Sequence, residues 1–561
     1  MTQTRVWLSS YPAGVPADID ASQYDSLVSL MEESFSKYAD RTAYSFMGHN
    51  IGYQETDVKS QALAAYFQSL GLEKGDRVAV MMPNVPQYPV AVAAILRAGL
   101  VVVNVNPLYT PRELEHQLKD SGAKAIVIIE NFALTLQKCI ANTQVKHIVM
   151  CAMGDMLSLP KGALVNFVVR HVKKMVPDHA IPGAVKFKHA LARGQQAAFV
   201  KPVVHADDIA VLQYTGGTTG VSKGAVLLHR NVIANLLQSE AWNDPVMKRV
   251  PAHEQPTSVC ALPLYHIFAF TVNMMLGMRT GGKNILIPNP RDLPAVLSEL
   301  SKHTFHSFPA VNTLFNGLAH HPDFGKVNWS NLKVSVGGGM AVTSAVAALW
   351  LEKTGCPICE GYGLSETSPS ASCNPTTSAQ FTGTIGVPLP STYMKLLDDD
   401  GQEVTELGQA GEIAIKGPQV MAGYWQRPDE TARCMTLDGY FKSGDIGIRD
   451  ALGFFKIVDR KKDMILVSGF NVYPNDVEET VSMCPGVMEC AAVGVPDEKT
   501  GEAVKLVIVK KDPELTEDKV REYCRANMTG YKQPKVIEFK TELPKTAVGK
   551  ILRRELRDAP K

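Results

Sequence analysis

The chain has no run approaching the roughly 20 consecutive apolar residues that a membrane-spanning helix needs. Its first residues, MTQTRVWLSSYPAG, hold no apolar core of signal-peptide length. Both absences point to the cytoplasm. Net charge is almost absent as well: 57 basic against 56 acidic side chains leave +1, so no global field favours nucleic acid, and any electrostatic partner must meet a local patch. Among the ten cysteines only Cys356 and Cys359 stand at metal or redox spacing. No second such pair lies nearby to complete a four-ligand zinc site, and an apolar strand-like run begins between them, so both thiols read as small core residues. Internal repeats and low-complexity tracts are also lacking.

What is present is ample core material: 561 residues, 45% of them hydrophobic, enough for more than one domain. Short β-branched runs at 77–82, 100–105 and 125–129 alternate with helical periodicity at 60–70 and 112–121, the pattern of an α/β fold with largely parallel sheets. From about Thr392 the texture changes to shorter strands punctuated by glycine, which predicts a β-rich subdomain over 392–459. After the charged stretch 459–463, the last hundred or so residues carry their own strand and helix signals. The expected organisation is a large N-terminal domain, 1–459, and a small α+β C-terminal domain, 460–561.

Residues 162–176, GALVNFVVRHVKKMV, read as a helix that aligns Leu164, Val168, Val172 and Met175, with Arg170, Lys173 and Lys174 elsewhere. Such a stripe usually packs on the core. The competing reading is peripheral contact with an anionic membrane surface.

The apolar run DIAVLQ leads into Tyr214-Thr215-Gly216-Gly217-Thr218-Thr219-Gly220-Val221-Ser222-Lys223-Gly224. Glycines let backbone N–H groups turn toward a polyphosphate, hydroxyls add donors, and Lys223 adds positive charge. Lys223 is followed by glycine, so the loop does not follow the spacing of the common P-loop of kinases and ATPases, and it says nucleotide binding and no more.

This loop resembles the phosphate signature of the adenylate-forming superfamily, which contains acyl-CoA synthetases, luciferases and peptide-synthetase adenylation domains. Four further stretches follow in the family's order: Gly361-Tyr362-Gly363-Leu364-Ser365-Glu366-Thr367, with serine for the usual threonine; Lys442-Ser443-Gly444-Asp445; Asp459-Arg460-Lys461-Lys462-Asp463; and Pro544-Lys545-Thr546-Ala547-Val548-Gly549-Lys550. The resemblance implies that Tyr362 lies against adenine, that Asp445 holds the ribose and that Arg460 joins the ATP site. It implies that Glu366 and Thr215 bind Mg2+, and that Lys550 bridges the carboxylate and the α-phosphate. It also implies a mobile C-terminal domain turning about a hinge at Lys462. Gly337-Gly338-Gly339-Met340 resembles the family's loop beside adenine, which adds Gly338 and Gly339. His266, Gly338 and Gly469 are the expected acyl and thiol contacts.

The chain as a whole, including VVNVNPLYTPRELEHQLKDSGAKAIV and DRKKDMILVSGFNVYPNDVE, is similar to bacterial long-chain fatty-acid–CoA ligases. That likeness implies a fatty acid, ATP and coenzyme A as substrates, while the missing apolar segments and the basic stretch 162–176 give the expected place, a cytoplasmic protein associated with the inner face of the cell membrane; a homodimer stays open. Tyr440 and Ser443 replace residues commonly found in the fatty acyl-CoA synthetase signature. The run PLYHIFAF followed by VNMMLGM suits an apolar tunnel, although such runs are more often plain core. Three rivals stay open at this point: loading of a carrier protein or a different acid, a fatty-acid uptake factor without catalysis, and a kinase-type ATPase releasing ADP.

Overall fold

The computed structural model describes residues 5–215, 222–460, 463–468, 470–497, 499–546 and 549–557, with the side chain of Arg460 outside that set. Two large, mostly parallel sheets form the N-terminal part. One has eight strands, and Val101–Asn104, Arg77–Met81 and Ala125–Ile129 run side by side near its centre; the other has nine, running from Val387–Pro388 at one edge to His49–Gly52 at the other. Their central strands are buried on both faces, as parallel strands must be when helices cover each side.

A single apolar core takes in side chains from both sheets and from the helices Leu27–Lys37, Tyr53–Ser69 and Gln87–Arg97. Every residue of Gln87–Arg97 is buried. The one charge on that helix, Arg97, is satisfied by the Asp57 carboxylate and, at 2.7 Å, by the Ser60 hydroxyl, as a buried cation requires.

Local chemistry sets the element ends. In Pro111–Ser121 the Thr110 hydroxyl and the Glu113 carboxylate cap each other's backbone, proline occupies the first turn, and Gly122 ends the helix in a left-handed conformation. A four-stranded antiparallel sheet, ordered Tyr393–Leu397, Gly411–Lys416, Phe441–Arg449, Phe455–Arg460, fills the β-rich region. Beyond it, strands from Ile465–Val467 to Val536–Lys540 form a second small sheet with its own core against Pro474–Ser482 and Glu517–Asn527. The fold is therefore α/β, with a β-rich subdomain and a small α+β C-terminal unit.

One sequence expectation changes. The stretch 162–176 forms the α-helix Lys161–Phe167 followed by a π-helical turn, Val168–Val172. The stripe Leu164, Val172 and Met175 does not pack on the core but is left exposed, because Gly162 and Val169 take the inner position while Asn166 and Arg170 bond to Gly154 and Glu130. The strands on either side of the phosphate-loop sequence, Ile209–Thr215 and Lys223–Leu228, pair antiparallel, so Lys223 stands on the return strand. Cys356 and Cys359 are both buried.

Candidate active site

A cavity of about 810 Å³ lies where the two N-terminal sheets, the β-rich subdomain and the C-terminal unit meet. Tyr214, Thr215, Lys223, His266, Gly338, Gly339, Tyr362, Glu366, Asp445 and Lys550 all line it. Residues separated by up to 336 positions in sequence thus share one wall. Gly216, Gly217, Thr218, Thr219 and Gly220 lie outside the described residues, as do Lys462, Gly469 and the Arg460 side chain. The Arg460 backbone pairs with Asp445 at the end of its strand.

The hairpin presents Thr215 directly opposite Lys223. The Ser222 hydroxyl donates to the Thr215 carbonyl at 2.8 Å, and the Tyr214 hydroxyl donates to Asp120 at 2.7 Å, tying the hairpin to the helix Pro111–Ser121. Lys223 Nζ is paired with Glu430 at 2.5 Å and lies over the Tyr424 ring.

Glu366 sits in a short 3-10 turn, Ser365–Thr367, after the strand Ile358–Gly363. It is nearly buried, and its Oε1 accepts from the Tyr424 hydroxyl at 2.7 Å. Burial, together with the Glu366 charge, pushes the Tyr424 phenol far above its ordinary pKa, so it stays a donor. Asp445, also buried, accepts from the Tyr362 hydroxyl at 2.7 Å.

Lys550 reaches the cavity from the C-terminal unit. Its loop is pinned to the large domain by Thr313 Oγ1, which donates to the Gly549 carbonyl at 3.2 Å, and by Arg291, which donates to the Thr546 carbonyl at 3.2 Å. Gly549 has φ +80°, and a Cβ there would meet Thr313 Oγ1 at 2.8 Å, so only glycine fits. His266 begins the turn Ile267–Ala269, accepting from Phe268 N at 3.3 Å. Burial and, secondarily, the positive charge of Lys550 push its pKa down to about 4, so the imidazole is neutral at physiological pH.

A second, apolar pocket of about 230 Å³ abuts the first: Asn243, Val272 and Val336 line both, and Met247 and Leu276 continue the wall. Val272, Asn273, Leu276 and Gly277 come from the VNMMLGM run that reads as tunnel-forming in sequence, whereas Met274, Met275 and Met278 are core. Sequence reasoning missed Met247 and the end of the helix His229–Met247, and it missed Tyr424 and Glu430. Tyr424 carries no spacing signal. It reaches the site because Gly423–Tyr424 pairs as an edge strand with Lys223–Leu228. Ser468 and Phe470, which flank Gly469, lie on the C-terminal unit, where Phe470 stacks on Tyr531 at 4.8 Å; neither lines the cavity in this arrangement.

The family described as AMP-binding enzyme matches residues 31–425, and its C-terminal domain matches 476–550. The chain belongs to the AMP-binding enzyme family. A long-chain-fatty-acid–CoA ligase of Salmonella typhimurium is 55% identical over 99% of this chain and 98% of its own length. Among solved structures, the ATP-bound MatB of Rhodopseudomonas palustris is 28% identical with a TM-score of 0.79, covering 95% of this chain and 98% of that one. An anthranilate CoA ligase, AuaEII, in complex with anthranoyl-AMP superposes with a TM-score of 0.83 at 24% identity, covering 96% of this chain and 98% of that one, which speaks to the fold alone.

The donor set of this AMP-binding enzyme fits a magnesium ion that arrives with nucleotide. One carboxylate, Glu366, and one hydroxyl-bearing residue, Thr215, face the same cavity. Magnesium is usually held by one or two carboxylates together with substrate phosphates and water, and less often by an all-protein cage.

Proposed function

We propose that the enzyme activates a long-chain fatty acid in two steps. A carboxylate oxygen attacks the α-phosphorus of ATP, and the bond to pyrophosphate breaks. The sulfur of coenzyme A, its proton lost, then attacks the acyl carbonyl and AMP leaves. The carrying observation is that Lys550 of the C-terminal unit lines one cavity with Thr215, Glu366 and Asp445 of the large domain.

The first step brings two anions together, which demands cations and fixed donors at the reacting centre. In this reading Lys550 bridges the acid and the α-phosphate, the hairpin with Thr215 and Lys223 grips the outgoing pyrophosphate, and Asp445 takes the ribose hydroxyls beside Tyr362. Glu366 and Thr215 would hold Mg2+, which when bound neutralises phosphate charge. The abutting apolar pocket takes the start of the alkyl chain, with neutral His266 in the cavity wall.

We also propose that the C-terminal unit, from 460 onward, turns about Lys462 between the steps. Hydrogen bonds join it to the large domain, among them Ser344 N to Glu479 at 3.3 Å and Asn316 Nδ2 to the Met488 carbonyl at 3.0 Å, besides the two loop contacts at Lys550. An interface of this kind can be exchanged for another at small cost. The enzyme is further proposed to work at an anionic membrane face, where its acid substrate partitions.

Release of AMP with ATP, magnesium and coenzyme A, measured across acids of increasing chain length, tests the reading. Release rising toward long chains supports it. Release of ADP, or none with any fatty acid, rejects it.

A further inference from the structure

Leu159, Leu164, Phe167, Val172 and Met175 are 79%, 62%, 56%, 65% and 51% exposed. They fall within 17 residues of one another in sequence. Soluble proteins seldom leave so many large apolar side chains together in water, and such patches mark contact surfaces.

The orientation of this segment is fixed by its other side. Gly154 and Gly162 meet back to back: a Cβ on Gly162 would come within 2.3 Å of the Gly154 carbonyl oxygen, and one on Gly154 within 2.2 Å of the Gly162 oxygen. Asn166 Oδ1 accepts from Gly154 N at 2.7 Å. Arg170 forks onto the Glu130 carboxylate, with both bonds at 2.9 Å, and Asn131 Nδ2 donates to the Met175 carbonyl at 3.1 Å. The segment thus docks through small and polar groups together with Val169 and Val165, which pack on the core, and turns Leu164, Phe167, Val172 and Met175 outward. Only Val169 among its large apolar side chains is buried.

The segment itself also carries charge of one sign. Lys173, Lys174 and His171 are exposed, and no acidic residue occurs from Met156 to Pro177. Apolar side chains beside lysines match an anionic bilayer, where the former enter the headgroup boundary and the latter meet lipid phosphates. A second copy docked on the same face would set these lysines against their equivalents, because a two-fold contact is self-complementary.

We propose that the segment 159–175 is the docking surface of the enzyme for an anionic lipid bilayer. This rests on the membrane reading given above and assigns it a place.

Full-length protein would be sedimented with vesicles of phosphatidylcholine, with and without phosphatidylglycerol, at low and high salt. Two double variants, Phe167→Ser with Val172→Ser and Lys173→Glu with Lys174→Glu, would be compared with the parent. AMP release with a short soluble acid and no vesicles checks that both variants stay folded and active, since none of these residues lines the cavity. The expected result is parental binding to the anionic vesicles that weakens with salt, and a loss of at least about tenfold in each variant. Parental binding that both variants retain would overturn the assignment while leaving the membrane reading standing. No parental binding to either vesicle would end both, without touching the ligase reading that AMP release tests. Equal binding to neutral vesicles would overturn the anionic partner. A parent that is dimeric by sedimentation equilibrium and turns monomeric in the serine variant, with no vesicle binding, would identify a second copy as the occupant instead.

Discussion

The hydroxyl of Tyr424 donates to Glu366 Oε1 at 2.7 Å, and Tyr424 reaches that position only by adding an edge strand beside the phosphate hairpin. The same ring lies 5.5 Å from Lys223 Nζ. One side chain therefore touches both the carboxylate assigned to magnesium and the cation assigned to pyrophosphate.

Removing that hydroxyl, Tyr424→Phe, leaves Glu366 less well oriented at almost unchanged volume. A hydrogen bond to a charged group contributes about 1.5–3 kcal/mol, so kcat/KM for magnesium-ATP should fall roughly ten- to hundredfold. Pyrophosphate exchange measures this, and an unchanged melting temperature confirms that the fold is intact. An unaltered magnesium dependence would show that Tyr424 does not position Glu366.

Lys550→Ala should abolish formation of the adenylate and leave transfer from supplied acyl-adenylate to coenzyme A largely intact, because the lysine is assigned to the first step alone. Single-turnover assays of the two half-reactions read this directly. Equal losses in both would reject the assignment.

Lys462→Pro should do the opposite. Proline fixes φ and removes a donor, so it should hold the C-terminal unit in one orientation. Pyrophosphate exchange should persist while thioester formation falls by at least about tenfold.

Glu360 is buried beneath the glycine loop, where its Oε1 accepts from Val342 N at 3.1 Å. Burial, and then the charge of Glu479, raise its pKa to about 8 from an ordinary 4.5. A carboxyl with a raised folded-state pKa contributes stability that is complete below about 4.5 and is lost as pH rises through about 8. Glu360→Gln keeps an acceptor for Val342 N and has no proton to lose. The parent should therefore lose on the order of a few kcal/mol more than the variant between pH 5 and 9. Melting temperatures across that range decide it, and parallel curves would mean that Glu360 does not titrate there.

The α/β class was readable because its cause is local: the β-branched runs at 77–82 and 125–129 became Arg77–Met81 and Ala125–Ile129 almost residue for residue. The motif residues were readable because close backbone approach and phosphate charge restrict which side chains serve, and Thr215, Glu366, Asp445 and Lys550 do line one cavity. Tyr424 and Glu430 were not, since a tyrosine on a two-residue edge strand has no periodicity to betray it. The 162–176 stripe misled for a related reason. Helical periodicity reports that two faces differ, and which face turns inward is decided by partners such as Gly154 and Glu130 that are distant from the pattern itself.

Lys223 is paired with Glu430 at 2.5 Å, so in the role proposed for it an incoming triphosphate would have to displace a carboxylate, and a departing pyrophosphate would be replaced by one. The ammonium group would then pass from one anion to another, and release of the first product would be an exchange of partners that leaves no naked charge in the cleft.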